Sequence, residues 1–197
     1  MGSSAHFYLN WAKERMDEMD AFLRSLEGRA TAAAAESRSA AEKIIADLHV
    51  RRDAFMAEMK KQSEAGEAAW LQAKSQLESQ WNAFQADVKK YVESAGTHAK
   101  QQQATFEGVA AAQLKAWREA ADKMQAASAE FAADQRGKIE AAVQKMKTDA
   151  SAAEANFHKM AQAGGESWSA LNAALAESRA AFDRTNQAAW DAFKRTG

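Results

Sequence analysis

The groups able to do chemistry in this chain are four histidines, 27 carboxylates and six tryptophans, with no cysteine. The histidines are His6, His49, His98 and His158. A di-metal carboxylate bundle needs Glu-x-x-His on its helices, and no histidine here has a glutamate three residues before it. Glu154 and His158 lie one helical turn apart, the spacing of a surface pair, and His-Glu-x-x-His is absent. Neither a glycine-rich phosphate loop nor a Gly-x-Ser-x-Gly nucleophile elbow occurs. Metal, cofactor and nucleophilic chemistry are therefore not expected. The basic pairs Arg51–Arg52, Lys60–Lys61 and Lys89–Lys90 each have acidic neighbours, and the formal net charge is −1, so no nucleic-acid stripe is expected. The carboxylates sit at salt-bridge spacing in stretches such as "KERMDEMD" and "KKQSEAGE", which read as solvated helix faces.

The elements that carry these residues are helices. The chain lacks proline, is rich in Ala, Glu, Lys, Gln and Met, and has few Val, Ile or Thr, so an all-α fold is expected. Large aliphatic residues are few, which points to a thin core shared between slender helices. No apolar run approaches the roughly 20 residues of a membrane span. The start lacks a basic segment followed by a long apolar stretch, so no secretory signal is expected and a cytoplasmic location follows as the expectation.

The stretch "WLQAKSQLESQWNAF", residues 70–84, shows the organising pattern. Trp70, Leu77, Trp81 and Phe84 lie on one helical stripe. Over the whole chain that stripe takes in Trp11, Phe22, Phe55, Trp70, Leu77, Trp81, Phe84, Phe106, Trp117, Phe131, Phe157, Trp168, Leu175, Phe182 and Phe193. The average step is close to the 3.67 of an eleven-residue repeat. Met59–Trp70–Trp81–Val92, Phe22–Ala33–Ile44–Phe55 and Met146–Phe157–Trp168 form ladders of elevens. These residues are the expected seam of self-association. The same outline returns as "WSALNAALAESRAAF", residues 168–182, so Trp70, Leu77 and Phe84 map onto Trp168, Leu175 and Phe182 at an offset of 98, consistent with an internal duplication.

The best turn is Ser94-Ala95-Gly96-Thr97, with Gly96 ending one helix and Thr97 capping the next. The expected architecture is one helical domain, 1–197: an elongated antiparallel hairpin with arm one at about 5–94, a turn at 94–98 and arm two at about 98–194. Residue i would then face about 192 − i, bringing 28–41 opposite 151–164 and Trp70 opposite Ala120–Ala121. A helix of 90 residues is about 135 Å long. A helical bundle that also turns near Gly66 and Gly164–Gly165 is the structural alternative.

In its eleven-residue amphipathic periodicity the chain resembles exchangeable apolipoproteins, which punctuate their helices with proline, and group 3 late-embryogenesis-abundant proteins, which lack such aromatics. In being alanine-rich, cysteine-free and helical it resembles phasins, and its "GEAAW" and "GGESW" stretches look like segments of bacterial coiled-coil proteins. These resemblances imply a coat on lipid or polyhydroxyalkanoate-type granules, or stress protection. The residue pattern itself points first to a non-enzymatic scaffold whose partner is a further copy of the chain.

Overall fold

The structure is a computed structural model that describes residues 4–32, 35–65, 67–94, 99–129, 133–164 and 167–194. Among them all regular structure is α-helical: α1 (Ser4–Ala32), α2 (Ala35–Ala65), α3 (Glu67–Ser94), α4 (Ala99–Ser128), α5 (Ala133–Ala163) and α6 (Trp168–Lys194). No described helix is long and apolar enough to cross a membrane.

The arms are not continuous helices. Arg52 binds Asp20 at 2.8 Å and His49 binds Glu27 at 2.7 Å. One unbroken helix would hold those partners about 48 and 33 Å apart. The chain therefore reverses between α1 and α2, and again between α4 and α5, where Arg118 meets Glu154 at 2.6 Å. The physical reason is coverage. A two-arm hairpin leaves each narrow aromatic stripe half wet, whereas a third helix closes over it. Accordingly α1, α2 and α3 pack on one another, as do α4, α5 and α6, and α1 joins the two halves by packing on α4 and α6. Residues 28–41 do not face 151–164: α2 packs on α1 and α3, and α5 on α4 and α6. Among the described residues the hairpin register is met near the termini, where Glu18 meets Arg179 and Phe22 meets Trp168. The Gly96–Thr97 turn and Gly66 lie outside the described residues.

The helix ends show local causes. Gly164 takes φ +57°, the left-handed conformation that terminates α5. The Ser167 hydroxyl accepts from the Ala170 amide at 3.3 Å and caps the start of α6. Arg38 donates to the Thr31 carbonyl at 3.0 Å, clamping the end of α1 to the start of α2. Arg136 donates to the Ala129 carbonyl at 3.2 Å, 98 residues later at both ends of the bond.

That offset recurs throughout. α2 and α5 have the same length, and their bounds differ by 98 at each end. The His49–Glu27 contact has its counterpart in Lys147–Gln125. The pairs Met19/Trp117, Leu26/Met124, Leu48/Met146, Trp70/Trp168, Leu77/Leu175 and Phe84/Phe182 are all buried. Contacts and buried positions of the two halves thus recur at the offset of 98. The eleven-residue ladders do not run along one helix: Met59 lies on α2 but Trp70 on α3, and Phe157 on α5 but Trp168 on α6. Only Trp70–Trp81–Val92 keeps three rungs on one helix, while Ile44–Phe55 on α2 and Met146–Phe157 on α5 keep two, because a chain reversal frees the phase between neighbouring elements. Small-angle scattering should give a maximum dimension well below the ~135 Å of a 90-residue helix; a rod of that length would contradict the six-helix fold.

Candidate functional site

The seam residues meet inside one chain. Trp11, Phe22, Phe55, Trp70, Leu77, Trp81, Phe84, Phe106, Trp117, Phe157, Trp168, Leu175 and Phe182 are all buried. Phe131 and the Phe193 side chain lie outside the described residues. Phe22 packs against Phe84 and, edge-on, against Trp168, so α1, α3 and α6 share one aromatic cluster. Phe106–Phe157 and Trp117–Phe182 make further edge-to-face pairs at centroid distances of 5.5 and 5.3 Å, inside the favourable range. Of the larger apolar side chains described, Val50 and Met56 on α2 are exposed.

The feature with the most concentrated chemistry is one the charge pattern hid. The stretch "KERMDEMD" is not a solvated face: Glu14, Arg15 and Glu18 are buried at the junction of the two halves. Glu18 accepts two hydrogen bonds from Arg179 of α6, 2.9 Å from Nε and 2.6 Å from Nη2. This forked geometry is the strong form of the Arg–carboxylate pair. Arg15 donates to Asp183 at 2.8 Å and also binds its neighbour Glu14. Both guanidiniums lie against indoles. Arg15 is 5.2 Å from the Trp11 centroid and 5.6 Å from that of Trp81, and Arg179 is 5.0 Å from Trp81, within cation–π reach. Positions 81 and 179 are equivalent in the two repeats, so at the junction the two repeats touch through matching sites. A groove of about 350 Å3 opens over the cluster, with Glu78 of α3 on its wall.

The electrostatics follow from a count of charges. Three carboxyl groups, Glu14, Glu18 and Asp183, share two guanidiniums. Burial pushes the Glu14 carboxyl well above its usual range, and the Arg15 charge only partly offsets this. Burial raises Asp183 too, against Arg15 and Arg179. For Arg179, burial opposes the charge, yet Glu18 more than restores it and the guanidinium stays firmly cationic. The carboxylates with short contacts are bound to guanidiniums, which makes the cluster a cross-link between α1 and α6. On the other flank of α1, Lys13 binds Glu119 of α4 at 2.9 Å, and Ser25 and Thr105 share a hydrogen bond at 2.8 Å. In the second repeat the position equivalent to Arg15 is Gln113, which is buried and donates to the Leu175 carbonyl at 3.1 Å.

A signal for the junction does exist in the sequence. At 100° per residue, Trp11, Ala12, Met16, Met19, Ala21, Phe22, Leu23 and Leu26 span an arc of about 220°, far wider than one seam. Arg15 projects into the middle of that arc, and Arg179 falls between Trp168 and Trp190 on the apolar face of α6. A charge within an apolar arc needs a buried partner. Which partner it meets depends on the chain reversals, which the sequence pattern does not set. Arg52, a polar residue on the stripe, pairs with Asp20, and both side chains stay partly exposed.

No protein-family model matches the chain, and no curated protein or solved structure matches it either.

The raised Glu14 carboxyl sets a pH dependence. The folded chain retains that proton above the usual glutamate range while the unfolded chain releases it, so stability falls as pH rises from about 4.5 through the folded value. Urea midpoints should therefore drop between mildly acidic and alkaline buffer. Glu14→Gln should flatten that drop and raise the alkaline midpoint; an unchanged slope would show that Glu14 is not the group responsible.

Proposed function

We propose that the chain is a non-enzymatic helical structural protein, a duplicated three-helix unit, that self-associates by pairing its aromatic–alanine faces. The observation that carries this reading is the junction. Glu18 binds Arg179, and Arg15 binds Asp183, across the two halves. That arrangement fixes geometry and commits those groups to one another. The seam residues are spent on the core of one chain, so association through them needs the halves to part and close again. Buried ion pairs make such parting cheaper than a purely apolar contact of equal area, because the charges regain hydration when they open.

A second reading has one observation in its favour. All six tryptophans, Trp11, Trp70, Trp81, Trp117, Trp168 and Trp190, point inward. A bundle that opened on an apolar surface would present them together, as a coat on lipid or polyhydroxyalkanoate-type granules requires. Solution mass and tryptophan emission separate the two. The structural reading expects mass to rise with protein concentration and emission to stay constant when lipid vesicles or a hydrophobic polymer are added. Constant mass combined with an emission change on vesicles would replace it with the coat.

A further inference from the structure

The surface that pairs two copies can be identified from the repeat. We infer that the partner of this chain is a second copy taken up by exchange of halves: α1–α3 of one chain closes on α4–α6 of the other. The inference rests on the self-association reading and gives it a contact. Each half keeps its own three-helix packing in this exchange, since α1, α2 and α3 contact one another, as do α4, α5 and α6. What is given up and then remade is the set of contacts of α1 with α4 and α6, together with the contact of Arg179 on the Trp81 indole of α3. Every interaction at that junction is available between chains: Glu18 with Arg179 of the partner subunit, Arg15 with the partner's Asp183, Lys13 with the partner's Glu119. Closed monomer and exchanged dimer thus hold nearly the same contacts, and protein concentration decides between them.

The junction also selects which halves meet. Position 81 of the first repeat is equivalent to position 179 of the second, but it carries Trp81 where the second carries Arg179. Two first halves docked in the same way would place Glu18 against an indole, a buried carboxylate without its guanidinium. That mismatch costs far more than the matched pair gains. Glu18 therefore admits only a second half, whether from its own chain or from another. The aromatic cluster of Phe22, Phe84 and Trp168 lies beside the same contact and is buried again when it closes.

A disulfide reports which chain supplies the second half. Ser25 and Thr105 face each other across α1 and α4 with their hydroxyls 2.8 Å apart, and the chain has no cysteine of its own. Ser25→Cys with Thr105→Cys, refolded over a range of concentrations and then oxidised, should give a covalent dimer on a non-reducing denaturing gel. The dimer fraction should grow with refolding concentration. If only the intramolecular link forms while the mass of the native chain still rises with concentration, exchange is overturned and self-association stands on another surface. If the mass stays constant as well, both readings fall.

Charge reversal gives a second readout that does not depend on cross-linking. Glu18→Arg and Arg179→Glu, unfolded and refolded together, should form a 1:1 heterodimer in which both junctions carry opposite charges. Glu18→Arg/Arg179→Glu in one chain should fold without a partner variant. A mixture that yields separate monomers, or fails to fold, would overturn the exchange.

Discussion

Two guanidiniums and three carboxyl groups lie where α1 meets α6, and the relation between the two halves of this protein depends on them. Taking such groups out of water costs several kcal/mol each, and good geometry is what offsets the cost. Here Glu18 and Arg179 supply a two-point hydrogen bond, and the indoles of Trp11 and Trp81 cover the guanidinium faces. The pair adds little net stability relative to apolar side chains of the same shape. Removing one member alone, however, leaves an uncompensated buried charge, at about 3–5 kcal/mol. The interaction therefore specifies an arrangement more than it strengthens one. It sets the register of α1 against α6 and sets which half is allowed to meet which.

Around that cross-link the fold is economical in apolar material. The helices are alanine-rich, and large apolar residues are buried densely only on α1 and α3 and sparsely on the others, where alanine fills the spaces between them. Three such helices close over one another, and the buried pattern recurs 98 residues later. Equivalent positions perform equivalent tasks: Arg38 and Arg136 clamp the first reversal of each half, and Trp70 and Trp168 anchor the third helix. The halves differ where they meet. Arg15 and Glu18 in the first correspond to Gln113 and Ala116 in the second, and Trp81 corresponds to Arg179. One ionic junction results from this asymmetry, so joining the repeats does not create two.

Much of this was legible in the residues, and what was not had physical causes. The absence of proline, the alanine content and the inward stripe pointed to the helical class and to many of the buried aromatics, whereas Met16, Leu23, Ile45, Val109, Val143 and Trp190 are buried off that stripe. The Trp70–Leu77–Phe84 echo at 168–182 marked the third helix of each repeat. The reversals were harder to read. α1 ends at Ala32 and α2 begins at Ala35, α2 ends at Ala65 and α3 begins at Glu67, and a stripe counted across such a short break keeps a fortuitous phase. That is why ladders of eleven suggested long arms. The ionic junction was obscured by a different effect. Charges at helical salt-bridge spacing look solvated until a neighbouring helix covers them, and α1 is covered by α2, α3, α4 and α6. Its apolar arc of about 220° was the available sign.

The central claim is that Glu18 and Arg179 join the two halves as a buried pair. A double-mutant cycle with Glu18→Gln, Arg179→Gln and the double variant, read by urea unfolding, tests it most directly. Close buried charge pairs show coupling of about 1.5 kcal/mol or more, and each single variant should cost more than the double variant's excess over the other. A coupling energy indistinguishable from zero would contradict the account, because it would mean that the two side chains do not meet in the folded chain.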